Sequence, residues 1–249
     1  MKKIFILSIL SVTLLFSCKK ETTTDTVKTE PTDGQLNIVF NNMVGDQPLV
    51  LNQMNYTNAA GNTYSASLLK YYVSNIQLHK KNGSNVSLSN YELIDAADAE
   101  SCKVLTKTLE KGDYDSMTFY IGIDADRNHN GAQDGDLDVS NGMFWTWNTG
   151  YIFFKHEGTY KNSSNQNKSI IFHYATDDAF AKVTLPIQLT INGKKTMHLK
   201  FDLNSVYSSP VNIDFNVDNN RQSSSSADAI WMANLKSNFG DAFTFMRVE

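Results

Sequence analysis

From Gln35 onward the chain is written in short period-two runs separated by turn signals, and this pattern most narrows what it can fold into. "QLNIVFNNMV" alternates Leu36, Ile38 and Phe40 with polar partners. Alternate residues of a strand point to opposite faces, so such a run buries one face and wets the other. "LLKYYVSNIQLHKKNGSNVSLSNYELID" gives a β-branched and aromatic run, an Asn82-Gly83 turn and two further short runs. Asn-Gly between strand-like segments predicts a hairpin, because both residues accept the positive φ that a tight turn needs. "KVLTKTLEKGDYDSMTFYIGID" repeats the theme around Lys111-Gly112-Asp113, and "AKVTLPIQLTINGKKTMHLKFDL" around Asn192-Gly193. "YIFFKHEGTY", "KSIIFHYA" and "VNIDFNV" add further strands. The expected fold is all-β: an antiparallel β-sandwich or barrel-like domain over residues 34–249. Residues 220–249 read as a variable C-terminal extension. It opens on a polar stretch, "NNRQSSSSAD", and continues into a short helix capped by Asp228, with Ile230, Trp231, Asn234, Leu235 and Phe239 on one face and Gly240 as its stop. "AFTFMRV" is expected to return as a last strand.

The first residues, "MKKIFILSILSVTLLFSC", have a basic start and an apolar stretch of about 13 residues, too short for a membrane span, which needs about 20. They read as a signal peptide over 1–17. A small residue before Cys18 resembles a bacterial lipobox, which implies cleavage there and lipidation of Cys18. Residues 18–33 then form the lipidated cysteine and a flexible, Thr-rich tether. The Lys-Lys-Glu that follows Cys18 resembles the charged surface-export signals of some Bacteroidetes lipoproteins. The expected location is the cell envelope of a Gram-negative bacterium, lipid-anchored to the outer membrane and surface-exposed.

The whole chain carries 22 Lys and Arg against 26 Asp and Glu; loss of Lys2 and Lys3 with the signal leaves a balance of −6. That charge disfavours nucleic acid as a partner. With Cys18 acylated, Cys102 is the one remaining thiol, so no intramolecular disulfide staples the domain. No GxSxG, phosphate loop, dinucleotide fingerprint or HExxH occurs, and no enzymatic activity is expected.

The stretch "DADRNHNGAQDGDLDVSNGMFWTWNTGY" holds the candidate chemistry. Counting from Asp126, oxygen-bearing residues fall at positions 1, 3 and 5 (Asp126, Asn128, Asn130), Gly131 at 6, Asp134 at 9 and Asp136 at 11. A calcium loop uses this spacing because alternate residues of a tight turn point inward on a hard cation. Position 12, where a carboxylate is expected, is Leu137; Asp138 and Asp124 flank the loop instead. The expectation is a calcium-like oxygen cage drawn from Asp124, Asp126, Asn128, Asn130, Asp134, Asp136 and Asp138, without the usual helix pair. The competing reading is a hydrated acidic loop of Asx-turns. Trp145 and Trp147 follow, one residue apart and so on one strand face; core anchoring is the plain alternative for both.

"LLKYYVSNIQL", "YELIDAAD", "KGDYDSMTFYIGID" and above all "DGDLDVSNGMFWTWNTGYIFFKHEG" resemble the MbnP-like family, secreted or lipid-anchored bacterial proteins linked to copper that include those of the MopE and CorA type. The resemblance runs from about Leu36 to Phe215 and is most specific at Gly142–Tyr151. It implies a β-sandwich that binds copper, and a partner di-haem enzyme related to MauG and cytochrome c peroxidases that oxidises a tryptophan to kynurenine. Kynurenine offers a metal an aniline nitrogen and a carbonyl oxygen, which indole does not. Trp145 and Trp147 are the modification candidates. Of the five histidines, His173 lies in a segment resembling the family's, and His198 lies on a later run; as antiparallel neighbours the two would share one copper, with Met143 or Met197 adding a thioether. His129 is expected to face solvent, and His156 to pair with Glu157. The alternative function is a calcium-stabilised structural or interaction module of the envelope, without copper.

Overall fold

The computed structural model describes residues 33–105, 108–146, 150–223 and 225–249, with the backbone alone at 89, 90 and 105. The expected signal peptide, Cys18, the tether up to residue 32 and Trp147 lie outside the described residues. The strands, in chain order, are β1 (Asp33–Val44), β2 (Gln47–Pro48), β3 (Tyr56–Thr57), β4 (Thr63–Lys80), β5 (Asn85–Asp95), β6 (Lys103–Leu105), β7 (Leu109–Glu110), β8 (Gly112–Ile121), β9 (Phe144–Trp145), β10 (Gly150–Lys161), β11 (Asn167–Ala175), β12 (Ala181–Ile191), β13 (Lys194–Asp202), β14 (Asn220–Arg221) and β15 (Phe243–Val248). Among the described residues three α-helices interrupt them: α1 (Ala125–Asn128), α2 (Leu203–Val206) and α3 (Ala229–Asn238).

The strands form two sheets, as the period-two pattern predicts. The larger runs β12-β8-β4-β10-β11-β14, with β3 and β5 on β4 and β9 on β10. The smaller runs β15-β13-β1-β2, with β6 and β7 on β1. Their inner faces meet in one core. Tyr71 of β4 and Phe154 of β10 reach Phe201 of β13, and Phe119 of β8 reaches Phe40 of β1 and Phe243 of β15. β12 shows the alternation in its purest form: Ala181, Val183, Leu185, Ile187, Leu189 and Ile191 are buried, and every residue between them is exposed. Among the described residues no helix is long and apolar enough to cross a membrane.

Two pairings differ from a plain antiparallel sandwich. β1 and β13 run parallel, with Ile38 opposite Met197 and Phe40 opposite Leu199. They are far apart in the chain, so no short connection forces them antiparallel. Asn192-Gly193 is also not a hairpin. It carries the chain from β12 in the larger sheet to β13 in the smaller one. Strands on either side of such a corner bury alternate residues in the same way as hairpin strands, so the pattern does not separate the two. The corner is tight because Gly34 sits inside it: a Cβ there would lie 2.4 Å from Ile191 Cγ2 and 2.6 Å from the Gly193 carbonyl oxygen. Asn82-Gly83, by contrast, does join the paired strands β4 and β5, with Gly83 at φ +89°.

At the C-terminus the expected helix and strand are present, with one face revised. Trp231, Leu235, Asn238 and Phe239 are buried while Ile230 is 78% exposed. Asp228 makes no capping bond to α3; its carboxylate faces Arg221 Nη1 at 3.5 Å. β15 pairs with β13, so residues 243–248 complete the smaller sheet.

Candidate functional site

The acidic loop joins β8 to β9 and folds back over β5 and β10. Its turn is made as the spacing predicts, with Gly131 at φ +72°. The carboxylates, however, do not converge. Asp124 caps α1 through Arg127 N and accepts from the Tyr91 hydroxyl. Asp136 Oδ2 accepts from Leu93 N at 2.8 Å, and its carbonyl accepts from the Tyr72 hydroxyl at 2.9 Å. Asp138 accepts from Ser140 N at 2.7 Å, and Ser140 holds its carboxyl below the ordinary aspartate value. Asp126, Asn130 and Asp134 are exposed. Among the described residues no three His, Cys, Asp or Glu side chains gather as a metal group. Hydrogen-bond donors therefore offset much of the charge for which the sequence suggested a single cation.

Asn128, by contrast, is buried, at 2% exposed. Its amide nitrogen donates to Asp177 Oδ1 at 2.9 Å and its oxygen accepts from Tyr151 N at 2.8 Å. The loop is thereby pinned to β10 and to the β11–β12 connection. Leu137, at the position where a calcium loop needs a carboxylate, is buried instead, and its carbonyl accepts from the Tyr151 hydroxyl at 2.7 Å.

Trp145 stands on β9, which pairs with β10 so that Trp145 faces Gly150 and Phe144 faces Tyr151. It is 8% exposed and lines a cavity of about 130 Å³ together with Asn128, His129, Tyr151, Thr176 and Asp177. His129 is exposed, as expected, but it is not idle: Nε2 lies 2.8 Å from Asp177 Oδ2. This pairing joins residues 48 positions apart, and no local signal in the sequence announces it.

His173 is on β11, on the outer face of the larger sheet between inward Phe172 and Tyr174. Its ring centroid lies 6.2 Å from that of Trp145. Nε2 is 2.8 Å from Glu157 Oε1, while Nδ1 is buried with no hydrogen-bond partner among the described residues. Burial lowers the imidazole pKa, against the pull of Glu157, so the ring is kept neutral. Burial pushes Glu157 upward, but His173 and Lys155 outweigh it and hold the carboxylate ionised. A neutral imidazole donating Nε2–H to a carboxylate presents Nδ1 as a lone pair, which is how a metal-binding histidine is oriented.

His198 does not share this place. It lies on the outer face of the smaller sheet, between buried Met197 and Leu199. β13 pairs with β1 and β15, whereas β11 pairs with β10 and β14. The expected His173–His198 pair is thus corrected: the two imidazoles project from opposite outer faces of the sandwich. His198 Nδ1 instead meets Asn41 at 3.4 Å. Met197 points into the core, and Met143 is fully buried in the segment entering β9. His156 is also reassigned. Neighbours on a strand face opposite ways, so His156 points inward, away from Glu157, and meets the Tyr207 hydroxyl at 2.5 Å. Cys102 accepts from Asn42 at 3.4 Å, and burial raises its thiol pKa, which makes it a poor nucleophile.

A sequence model of the MbnP family matches residues 33–227. The solved structure of MbnP from Methylosinus trichosporium is similar in fold, with a TM-score of 0.53 at 15% identity, covering 71% of this chain and 78% of that one. Comparison with curated proteins finds no match.

Proposed function

The chain belongs to the MbnP family, and from that premise we propose that it is an exported metal-binding protein whose ion is copper, with His173 as the principal ligand. The observation that carries this reading is the buried Nδ1 of His173, which has no hydrogen-bond partner among the described residues, backed by Glu157 and set against the Trp145 ring. The donor set suits a soft, imidazole-seeking ion better than a hard one. His173 would hold it through Nδ1. Met143, buried two residues before Trp145, is the candidate thioether, and His129 the candidate second imidazole beside the indole. Bound copper supplies a soft cation able to change oxidation state by one electron. Glu157 fixes the tautomer of His173, and the surrounding sheet face limits access of water to it.

In this reading the protein is not itself an oxidant. Trp145 is the proposed substrate of a di-haem, MauG-like partner that oxidises it to kynurenine, with Trp147 the alternative residue. Lipidation at Cys18 holds the chain at the outer membrane. Copper(I) competition against a chromophoric chelator tests the site. Glu157→Gln is expected to weaken binding about 10–100-fold, the usual cost of removing a ligand's supporting partner. His173→Ala weakens it further, and His198→Ala leaves it unchanged. Equal affinity in wild type and His173→Ala overturns the proposal. Peptide mass mapping of protein exported by its native host, with Trp145→Phe and Trp147→Phe compared, identifies any modified indole.

The second reading, a calcium-stabilised envelope module without copper, draws on the way the acidic loop organises Tyr91, Leu93 and Tyr151. Metal analysis of the natively exported protein separates the two: calcium alone favours this one, and histidine-dependent copper favours the first.

A further inference from the structure

The connection from β11 to β12 crosses the Trp145 cavity, and it begins on a strained residue. Thr176 has φ +81° and ψ 158°, a region that glycine enters freely and a β-branched side chain enters only under constraint. Three sets of contacts hold it there. Asp177 takes one hydrogen bond from Asn128 Nδ2 at 2.9 Å and faces His129 Nε2 at 2.8 Å. Lys236 of α3 donates to the Asp178 carbonyl at 2.7 Å. Ala175 N, just before the strained residue, donates to Ser223 Oγ at 3.1 Å.

The far end of the turn is built differently. Ala179 is fully buried, and Phe180 stacks on Tyr120 with centroids 4.3 Å apart and planes 5° apart. One end is therefore anchored by apolar packing, while the other is strained and held by polar contacts. Asp177 and His129 are exposed, at 46% and 57% of their side chains, so water competes for the latch. Thr176 and Asp177 line the same cavity as Trp145.

We propose that the Thr176–Phe180 turn is a strained lid over Trp145, closed by the Asp177 latch and opening about Thr176 while Phe180 stays in place. Relief of the Thr176 backbone favours the open state; the Asn128, His129 and Lys236 contacts favour the closed one. Opening removes the wall that limits access to the indole. A partner that needs Trp145 then reaches it by engaging Asp177, without repacking the core. This use of the lid rests on the proposed role of Trp145, but the lid's existence does not.

Hydrogen exchange of the metal-free full chain, followed by NMR, tests the lid apart from copper. The reporters are the amides of Ala179 and Phe180, which donate within the turn to Thr176 O and Asp177 O. Asp177→Ala is expected to speed their exchange about tenfold or more. Thr176→Gly, which accepts the closed backbone without strain, is expected to slow it several-fold. Exchange across β4 and β13 should stay unchanged in both, showing that the fold is intact. Rates in the turn that do not change in Asp177→Ala, or that rise in Thr176→Gly, overturn the proposal. A normal lid response together with unchanged copper binding in His173→Ala would leave the lid standing and remove the copper site.

Discussion

His156 shows how much one inward side chain can dictate. It is fully buried among Tyr64, Phe172 and Tyr207, its Nδ1 meets the Tyr207 hydroxyl, and its Nε2 has no partner among the described residues. Desolvation penalises the imidazolium and pushes the pKa down to about 3. The unfolded chain takes up a proton near pH 6.5 that the folded chain refuses until about pH 3. Stability is therefore complete above about pH 6.5 and is lost as pH falls from there toward 3. Urea unfolding is expected to show a loss on the order of 2 kcal/mol between pH 7 and pH 5 from this group. His156→Phe should flatten that part of the profile while lowering stability at pH 7, because the Tyr207 hydroxyl loses its partner. An unaltered slope in the variant would exclude His156 as its source. Asn128 makes a second residue-scale case. Asn128→Ala removes the partner of a buried backbone amide and one partner of Asp177, and is expected to cost roughly 1–3 kcal/mol in denaturant unfolding. Neither role was legible in the sequence. Asn128 reads as one of several loop oxygens, and its partners come from the tertiary placement of α1 against Tyr151 and Asp177. His156 reads as a neighbour of Glu157, and only the pleat, which turns adjacent strand residues to opposite faces, decides its partner.

At the level of elements, the sequence was most informative about where strands lie and least about what they pair with. β12 and the Asn82-Gly83 hairpin follow directly from alternation and turn chemistry. The Asn192-Gly193 corner and the parallel β1–β13 pair do not, because sheet membership depends on which faces meet at a distance. The candidate site divided the same way. Trp145 and His173 were identified singly, but their neighbours Asp177 and Glu157 came from tertiary placement. Gly158 links the two levels. The β10–β4 register shifts between Glu157 and Gly158, and a Cβ on Gly158 would lie 2.0 Å from the backbone carbonyl oxygen of Ser65. Backbone cannot yield as a flexible side chain does, so Gly158→Ala must push β10 away from β4. The expected loss is about 1–3 kcal/mol in thermal or urea unfolding, the usual range for overpacking. Because Glu157 precedes this residue, the same variant should disturb its contact with His173, read as a shift of the His173 ring resonances. An unchanged melting profile would mean that the strands accommodate the methyl group.

Across the whole molecule, the limits of the family match and of the folding unit do not coincide. The MbnP family model ends at residue 227, and the chain beyond it read as a variable extension. Yet that extension buries Trp231, Leu235, Phe239, Ala242 and Phe243. Phe243 touches Phe40, Tyr71, Phe119 and Phe201, side chains drawn from both sheets, and Trp231 packs on Phe172 and Tyr174. β15 also satisfies the backbone of β13 along its outer edge. Each large apolar side chain fully withdrawn from water contributes roughly 1.5–3 kcal/mol. Four such side chains rival the net stability of about 5–15 kcal/mol typical of a domain. Deletion of residues 228–249 is therefore expected to abolish a cooperative thermal transition and to expose dye-binding apolar surface, even though it leaves the family-matching region whole. A sharp transition retained by the truncated chain would show that the two sheets close their core without this segment, and that the C-terminal helix and strand are an addition to the fold and not part of it.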